Sequence, residues 1–430
     1  MKKKELFKNI IGYDDEKKII ERVIDILNNK EKYQKLGVGI PHGLLLYGPP
    51  GTGKTTFSKE ILKNINRKTY IIRKTISDGD FMKRVCSIFE EAKKNIPSAI
   101  LLDDLDKYSE RDKFSQNDEE YVAIQSLLDD VKDMDIFILA TANNTCDFPG
   151  SLLRSGRFDI KINLGNPNEK DSMKIIDYYL KKKKIDKDVN VKNLSHILVG
   201  SSCATLEKIC NQAGIYAGFI NKNKISMIEL IRASLEERYD WFIEDLYKND
   251  KYDINTAYHE AGHALVSEVL EPGSVSFVTA VNSKGETQGI TIYHENDYYW
   301  QDIKYMETRA KACLAGKASS EIVFNKCDVG ANSDLHRAFD LIERFIDNYC
   351  INDFTSWIRD ARETSNYVKE NKDKEIQKLI TEYYNDVKIL LTENRNLLDI
   401  LAHELCKRKI LFHDDIQDIL NNPKKYSLVN

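Results

Sequence analysis

Two short runs of residues constrain the fold of this chain more than any other feature of its sequence. The first, Gly48–Thr55, reads GPPGTGKT, and the second, His259–His263, reads HEAGH. The first fits the pattern G-x-x-x-x-G-K-[ST] of a loop that wraps nucleotide phosphates, and the second fits the H-E-x-x-H pattern of a metal-binding helix. About two hundred residues separate the two runs. The sequence therefore predicts two chemically distinct domains in one chain.

The first run lies in the sequence context that phosphate binding needs. The apolar segment Gly43–Tyr47 predicts a buried strand before the loop, and Thr55–Leu62 predicts the start of a helix after it. A phosphate would then meet a helix N-terminus, where backbone N–H groups are free, which disfavours the alternative of a simple tight turn. We expect Lys54 to bring charge to the outer phosphates and Thr55 to place its hydroxyl on Mg²⁺. The residues predicted to contact the nucleotide here are Pro50, Gly51, Thr52, Gly53, Lys54, Thr55 and Thr56.

An acidic strand end supplies the carboxylates that a magnesium nucleotide requires. The segment Ala99–Asp106 is an apolar run that ends in the sequence DDLD. We expect Asp103 to be the carboxylate on the magnesium side and Asp104 to polarise the attacking water. A Glu is more usual at the second position, and its longer side chain reaches further, so hydrolysis is expected to be slow or altered. A solvent-facing acidic strand end is the alternative.

A second buried strand, predicted over Ile136–Asn143, ends in a polar residue, and the segment Leu152–Asp159 carries two arginines. Taken alone, arginines near an aspartate favour surface ion pairs, which contribute little to stability. The strand, the asparagine and the paired arginines together resemble sensor 1 and the arginine fingers of the AAA+ ATPases. By that resemblance Asn143 orients water near the γ-phosphate, and Arg154 and Arg157 stabilise transition-state charge in the neighbouring subunit of a ring.

The second run predicts a metal centre. His259 and His263 are four residues apart, so on a helix they share one face and can both bind Zn²⁺. Glu260 is placed to take a proton from the water that the metal activates. Two imidazoles and a carboxylate would also suit Fe²⁺, Co²⁺ or Mn²⁺.

A third metal ligand is suggested by the segment Val329–Ala338. This segment, together with Leu314–Phe324, resembles the corresponding parts of the FtsH family of AAA+ zinc metalloproteases (peptidase family M41), and the resemblance assigns Asp334 as the ligand. His336 is the competing ligand, but two residues along a helix it would point away from Asp334.

The resemblance to FtsH runs from about Phe7 to about Leu420, with both halves in the family's order. It implies Zn²⁺, ATP and Mg²⁺ as cofactors, polypeptides as substrates and a homohexameric ring. The segment Phe7–Asp14 resembles the family's adenine-packing segment, which implies nucleotide contacts from Ile11 and Gly12. The segment Gly200–Leu206 resembles the family's sensor 2 region.

Asp104, at a position where Glu is more usual, is one departure from the family pattern. Two further departures concern the substrate pore and the membrane. In the aligned pore segment, Thr75–Phe81, Ser77 stands where the family has an aromatic residue that grips the substrate, and Phe81 is either a substitute or the first core residue of a helix. Typical members begin with transmembrane helices, whereas this chain has no window of eighteen uninterrupted apolar residues and no signal-peptide pattern at Met1–Phe7. We therefore expect no membrane span and a cytoplasmic location; a natural soluble form and a chain without its anchor both remain open.

Composition agrees with this interpretation. A chain of 430 residues should hold two or three domains, and a net charge of −4 gives no general attraction to nucleic acid. Eight cysteines show no paired close spacing, which favours a reducing cytoplasm over a disulfide framework.

The order of predicted elements gives the fold class. Strands and helices alternate up to about Asn163, which predicts an α/β P-loop AAA+ module with a parallel sheet and helices on both faces. We expect this nucleotide-binding domain at 1–165, a helical lid at 166–247 and a mainly α-helical zinc metalloprotease domain at 248–430. Within the last, Gly289–His294 alternates as an edge strand does, and an extended peptide could pair with it.

The expected function is an ATP-dependent zinc metalloendopeptidase whose ring couples ATP hydrolysis to processive degradation of polypeptides. Two alternatives stay open because of Asp104 and the missing pore aromatic. One is an ATP-gated peptidase that cuts unfolded chains and unfolds folded ones weakly. The other is a remodelling ring with little proteolysis.

Overall fold

The computed structural model describes residues 6–74, 80–108, 119–146, 148–154, 156–241, 254–281, 289–294, 303–326, 331–349 and 366–426. The chain divides into two compact units, Met1–Lys182 with Gly200–Cys210, and Lys183–Val199 with Asn211–Asn430. The residues of the predicted lid are divided between the two units, so the three domain boundaries remain a prediction. The predicted boundary between the lid and the metalloprotease domain, at residues 247 and 248, lies outside the described residues.

The first unit is built on a parallel sheet of five strands in the spatial order β2-β3-β4-β1-β5. The sheet ends at Asn163, where the alternating pattern of the sequence also ends, so the predicted α/β module is confirmed. The strands are β1 (Gly43–Tyr47), β2 (Lys68–Arg73), β3 (Ser98–Asp103), β4 (Ile136–Ala142) and β5 (Ile160–Asn163).

Helices cover both faces of this sheet because successive side chains of a strand point to opposite sides. Leu45 packs into a core with α4 and α5, whereas its neighbours Leu44 and Leu46 pack into a second core with α1 and α3. The helices of this unit are α1 (Asp14–Asn28), α2 (Lys30–Gln34), α3 (Lys54–Asn64), α4 (Phe81–Lys94), α5 (Glu119–Val131) and α6 (Glu169–Leu180).

The predicted pore segment is described only at its end. Thr75–Gly79, and with it Ser77, lies outside the described residues. Phe81 begins α4, is 4% exposed and packs edge-on against Tyr108 with ring centroids 5.0 Å apart. Phe81 is therefore a core residue and does not replace the missing aromatic of the pore.

Helices dominate the rest of the chain, as predicted. The helical region after the sheet contains α7 (Val191–Ile197), α8 (Cys203–Phe219) and α9 (Met227–Tyr239). The C-terminal helices are α10 (Ile254–Leu270), α11 (Ile303–Phe324), α12 (Asn332–Tyr349), α13 (Asn366–Glu393), α14 (Arg395–Arg408) and α15 (His413–Asn421). Helix α11 packs against α10, α12 and α13, so it brings the two halves of the predicted metal centre together.

A small antiparallel sheet of three strands accompanies these helices, in the order β7-β6-β8. Its strands are β6 (Val275–Thr279), β7 (Ile290–Tyr293) and β8 (Ile410–Phe412). Strand β7 lies at the edge of the described sheet and pairs with β6, so the predicted edge strand is confirmed.

Within the described ranges, no helix combines the length and the apolar character needed to cross a bilayer.

Candidate ATPase and metallopeptidase sites

The phosphate-binding loop connects β1 to α3, as the sequence predicts. Gly53 has a left-handed backbone with φ of 98°, and α3 begins at the next residue, Lys54. Lys54 is 6% exposed, and its ammonium donates hydrogen bonds to the carbonyl oxygens of Gly48 (2.7 Å) and Pro49 (2.8 Å). Burial lowers the pKa of Lys54, and the nearby carboxylates of the DDLD segment act in the opposite direction. The loop therefore holds its cation at the start of a helix, where an incoming phosphate would meet both.

Asp103 ends the interior strand β3 with its side chain almost fully buried. Its Oδ1 accepts a hydrogen bond of 2.7 Å from the Thr141 hydroxyl, and its Oδ2 accepts one of 2.9 Å from Nε of Arg73. A carboxylate at the carboxyl end of a strand, with Thr55 at the start of α3, is the donor set that suits a magnesium nucleotide.

Asp104 lies in the left-handed backbone region, with φ of 55°. Its backbone N–H donates to Oγ1 of Thr141 (2.8 Å), and its Oδ2 accepts from Nζ of Lys107 (2.7 Å). Asn143 follows β4, and its Nδ2 donates to Oδ2 of Asp106 (3.0 Å). The adjacent parallel strands β3 and β4 have their carboxyl ends on the same side of the sheet. Asp103, Asp104 and Asn143 therefore lie together at these strand ends.

The two predicted arginine fingers differ in their surroundings. Arg154 is exposed. The guanidinium of Arg157 donates to both carboxylate oxygens of Asp129, at 3.0 and 2.8 Å, and also bonds to the Ser151 carbonyl oxygen. This pairing holds the pKa of Asp129 below its usual range. Within one subunit Arg157 therefore forms a surface ion pair. This is the interaction that the sequence favours when the family resemblance is left aside.

The predicted adenine segment packs against the P-loop helix. Phe7 and Tyr13 lie against Phe57 of α3, with ring centroids 6.0 and 5.9 Å apart. Between them Ile11 is half-buried, and Gly12 is buried against Asp171, whose Oδ2 accepts a hydrogen bond of 3.1 Å from the Tyr13 backbone N–H. The segment is thereby fixed beside the helix that starts at Lys54.

The predicted metal ligands converge in the second unit. Nε2 of His259 and Nε2 of His263, both on α10, lie 3.1 and 3.3 Å from Oδ2 of Asp334 on α12, and 3.1 Å from each other. In the described chain these three residues form the cluster whose donor atoms could hold one metal ion. Burial alone would raise the pKa of Asp334, but hydrogen bonds with the two imidazoles outweigh it and hold that pKa well below its usual range. Two imidazoles and one carboxylate fit a catalytic zinc site with an open position.

Neighbouring groups on α11 shape this cluster. Nδ1 of His263 donates to the Ala312 carbonyl oxygen (2.7 Å), so in the neutral imidazole Nε2 carries the lone pair that would bind a metal. A Cβ atom at Gly316 would lie 2.5 Å from Nε2 of both His259 and His263, so a side chain there would fill the metal's place. Glycine is therefore required at 316 for the close approach of α11 to the ligands.

Glu260 lies beside the cluster and is buried. Its Oε2 accepts a hydrogen bond of 2.7 Å from the hydroxyl of Thr291 on β7. Burial raises the pKa of the Glu260 carboxyl, although the two imidazoles and Thr291 act in the opposite direction. A Cβ at Gly289 would lie 2.6 Å from Oε1 of Glu260, so the chain before β7 also approaches the carboxylate closely.

Comparison with known proteins assigns a family model to each half of the chain. Residues 44–166 match the family model of ATPases associated with various cellular activities, and residues 247–419 match that of peptidase family M41. The chain is 30% identical over 451 residues to the ATP-dependent zinc metalloprotease FtsH of Karelsulcia muelleri, an alignment that covers 96% of this chain and 71% of the relative. This chain belongs to the FtsH family.

Other FtsH relatives align over most of their own length as well. Identity is 29% to the ATP-dependent zinc metalloprotease FtsH 2 of Thermoanaerobacter sp., covering 96% of this chain and 82% of the relative. It is 28% to the ATP-dependent zinc metalloprotease FtsH of Bacillus subtilis, covering 98% of this chain and 70% of the relative.

The structure of this FtsH-family chain also shows two residues at these sites that were not predicted from the sequence. Thr141 bridges Asp103 and the backbone of Asp104, and Thr291 holds Glu260. His336, the competing ligand, is exposed and lies outside the metal cluster. A polar residue inside a buried apolar strand was the available signal for Thr141, because buried hydroxyls are nearly always hydrogen-bonded.

Proposed function

We propose that this FtsH-family chain is an ATP-dependent zinc metalloendopeptidase that couples ATP hydrolysis in a ring to processive degradation of polypeptides. The observation that carries the proposal is the convergence of His259, His263 and Asp334 beside a buried Glu260, in a chain that also holds a complete phosphate-binding loop. Either site alone would suit many enzymes. Both together suit ATP-driven proteolysis.

In the peptidase site, Nε2 of His259, Nε2 of His263 and Oδ2 of Asp334 would hold the metal. Zinc bound there polarises the scissile carbonyl and lowers the pKa of a bound water. Glu260 accepts a proton at its carboxylate as the water attacks and returns it to the leaving amine. Thr291 keeps that carboxylate in one orientation throughout.

Strand β7 is the proposed platform for the substrate. It lies at the edge of the sheet that the described residues form, so its outward N–H and C=O groups can pair with an extended peptide. Because Thr291 on this strand bonds to Glu260, a peptide paired with β7 would lie next to the proton acceptor. Main-chain pairing is independent of side chains, which suits a protease that degrades many sequences.

In the ATPase site, Lys54 and the loop glycines would bind the phosphates, and Thr55 and Asp103 would bind Mg²⁺. Asp104 is the proposed acceptor that polarises the attacking water, and Asn143 orients that water. Ile11 and Gly12 complete the site on the adenine side. Their placement beside α3 supports this assignment.

The proposed assembly is a homohexamer in which Arg154 and Arg157 act on the neighbouring subunit's nucleotide. Arg154→Ala and Lys54→Ala should each abolish ATP hydrolysis in uniform rings. In mixed rings, some interfaces would combine an intact Lys54 from one variant with an intact Arg154 from the other, so mixing should restore activity. Mixtures as inactive as the separate variants would refute action in trans.

Replacement of Glu260 tests the peptidase assignment. Glu260→Gln keeps the size of the side chain but removes the proton acceptor, so cleavage of casein should be lost while the zinc content measured by atomic emission stays at one per chain. Undiminished cleavage would refute the proposed role of Glu260. ATP hydrolysis by the same variant is the control, because the ATPase site is unchanged.

A second candidate is a peptidase that uses ATP binding to open or assemble the ring and unfolds substrates weakly. The pairing of Asp104 with Lys107 favours it, since a short carboxylate held by an ammonium is poorly placed to activate water. This candidate predicts equal casein cleavage with ATP and with a non-hydrolysable analogue. A strict requirement for hydrolysis would count against it.

We also propose a cytoplasmic location, which is supported by the six described cysteines because none of them forms a disulfide bond.

A further inference from the structure

Arg73 places a positive charge on the carboxylate proposed to serve Mg²⁺. Nε of Arg73 donates to Oδ2 of Asp103 at 2.9 Å, and a second guanidinium nitrogen bonds to the same oxygen. The Asp103 side chain is 1% exposed, whereas that of Arg73 is 52% exposed. The guanidinium therefore reaches inward from solvent to a buried anion.

The register of the sheet fixes this contact. Strands β2 and β3 are parallel neighbours, and Arg73 is the cross-strand partner of Asp103 at the end of both. Strand β2 lies at the edge of the described sheet, so Arg73 has solvent on its outer side. The arginine can leave Asp103 without disturbing the core.

Other cations near the nucleotide site are engaged elsewhere. Lys54 bonds to carbonyl oxygens of its own loop, and Lys107 pairs with Asp104. In the part of the chain that the structure describes, Arg73 is the cation that pairs with Asp103. A buried carboxylate without a counter-charge is costly, so Arg73 stabilises the nucleotide-free form of the site.

We propose that Arg73 is the counter-ion of Asp103 in the nucleotide-free subunit and competes there with the Mg²⁺ that accompanies the nucleotide. Both bonds from Arg73 go to Oδ2 of Asp103, whereas Oδ1 accepts one bond from Thr141, so Arg73 already neutralises the charge that would attract Mg²⁺ to this carboxylate. Arg73 thereby sets the magnesium concentration at which nucleotide is bound tightly. This inference rests on the proposed ATPase site.

The test is a magnesium titration of the binding of a fluorescent ADP analogue, followed by fluorescence at a fixed nucleotide concentration without turnover. Arg73→Gln should lower the half-saturating Mg²⁺ concentration about two- to fivefold, the range expected when a half-exposed ion pair is removed. Without Mg²⁺, Arg73→Gln should bind the ADP analogue no more tightly than the wild-type chain does. An unchanged or higher midpoint would overturn the inference.

Two further variants make the result specific. Lys68→Gln removes another cation of β2 whose side chain is also 52% exposed and which pairs with Glu91, so its magnesium midpoint should equal that of wild type. Arg73→Lys keeps the charge but loses the forked donor, and should shift the midpoint downward by a smaller factor. If Arg73→Gln fails to fold, Arg73→Lys tests the inference in its place, because an unchanged magnesium midpoint in Arg73→Lys would overturn it. Failure of the wild-type chain to bind nucleotide at any Mg²⁺ concentration would instead overturn the proposed ATPase site together with this role of Arg73.

Discussion

The hydroxyl of Thr291 donates a hydrogen bond of 2.7 Å to Oε2 of Glu260. Thr291 belongs to the edge strand β7, and Glu260 belongs to α10, which carries two of the metal ligands. The hydrogen bond thus connects the proposed peptide platform to the proposed proton acceptor. It restricts the orientation of a buried carboxylate.

Thr291→Val should lower kcat for casein cleavage and change KM little, because the hydroxyl orients Glu260 without binding the metal. Loss of one hydrogen bond to a charged group corresponds to roughly a tenfold to hundredfold decrease. Thr291→Ser should restore most of the rate. Thr279→Val on β6 is the matched control, since its hydroxyl donates to the Lys409 carbonyl oxygen instead. Equal rates for Thr291→Val and wild type would refute the positioning role.

Gly316→Ala should weaken zinc binding strongly, because the new methyl group would lie 2.5 Å from both ligand nitrogens. Isothermal titration of the metal-free protein with Zn²⁺ measures the effect. Gly218→Ala on α8 is the control, since nothing lies within 4 Å of its added Cβ. Wild-type zinc affinity in Gly316→Ala would show that the metal does not occupy the space between His259 and His263.

Asp334 and His336 provide a direct test of the third ligand. Asp334→Asn should weaken Zn²⁺ binding by at least about 100-fold, since loss of a ligand exceeds the loss of an outer hydrogen bond. His336→Asn should leave zinc content and cleavage unchanged, because His336 is exposed and outside the cluster. The reverse pattern would reassign the ligand to His336.

Asp104→Glu should raise the ATP turnover rate. Asp104 is paired with Lys107, and the longer side chain of Glu can extend past this lysine to the attacking water. Asp104→Asn should lower turnover by about 100-fold, the usual contribution of a positioned base. Steady-state phosphate release measures both variants, and Asp133→Asn, at an exposed turn residue, is the control. Turnover in Asp104→Asn equal to that of wild type would exclude Asp104 as the base.

Local patterns in the sequence were sufficient for much of this structure. The strand before the P-loop was predicted as Gly43–Tyr47 and is observed with those bounds, since an apolar run followed by glycines leaves few alternatives. The i, i+4 spacing of His259 and His263 likewise fixed their common face before any fold was known. The third ligand, Asp334, came from the family resemblance and not from spacing.

Contacts between distant segments could not be obtained in this way. Thr291 is 31 residues from Glu260, and Arg73 is 30 residues from Asp103. Each pair depends on how a strand is positioned against another element, and a single sequence does not specify that register. The sequence could show only that Arg73 follows an apolar run and that Thr291 lies in an alternating one.

Degradation of an unstructured and a stably folded substrate, measured side by side, tests the central claim most directly. The chain is incubated with ATP, with a non-hydrolysable analogue, and with ATP plus a zinc chelator. ATP-driven metalloproteolysis predicts that both substrates are cut only with hydrolysable ATP and without the chelator. Cleavage of the unstructured substrate alone would identify a gated peptidase with weak pulling. Absence of cleavage, or cleavage that persists in the chelator, would contradict the account.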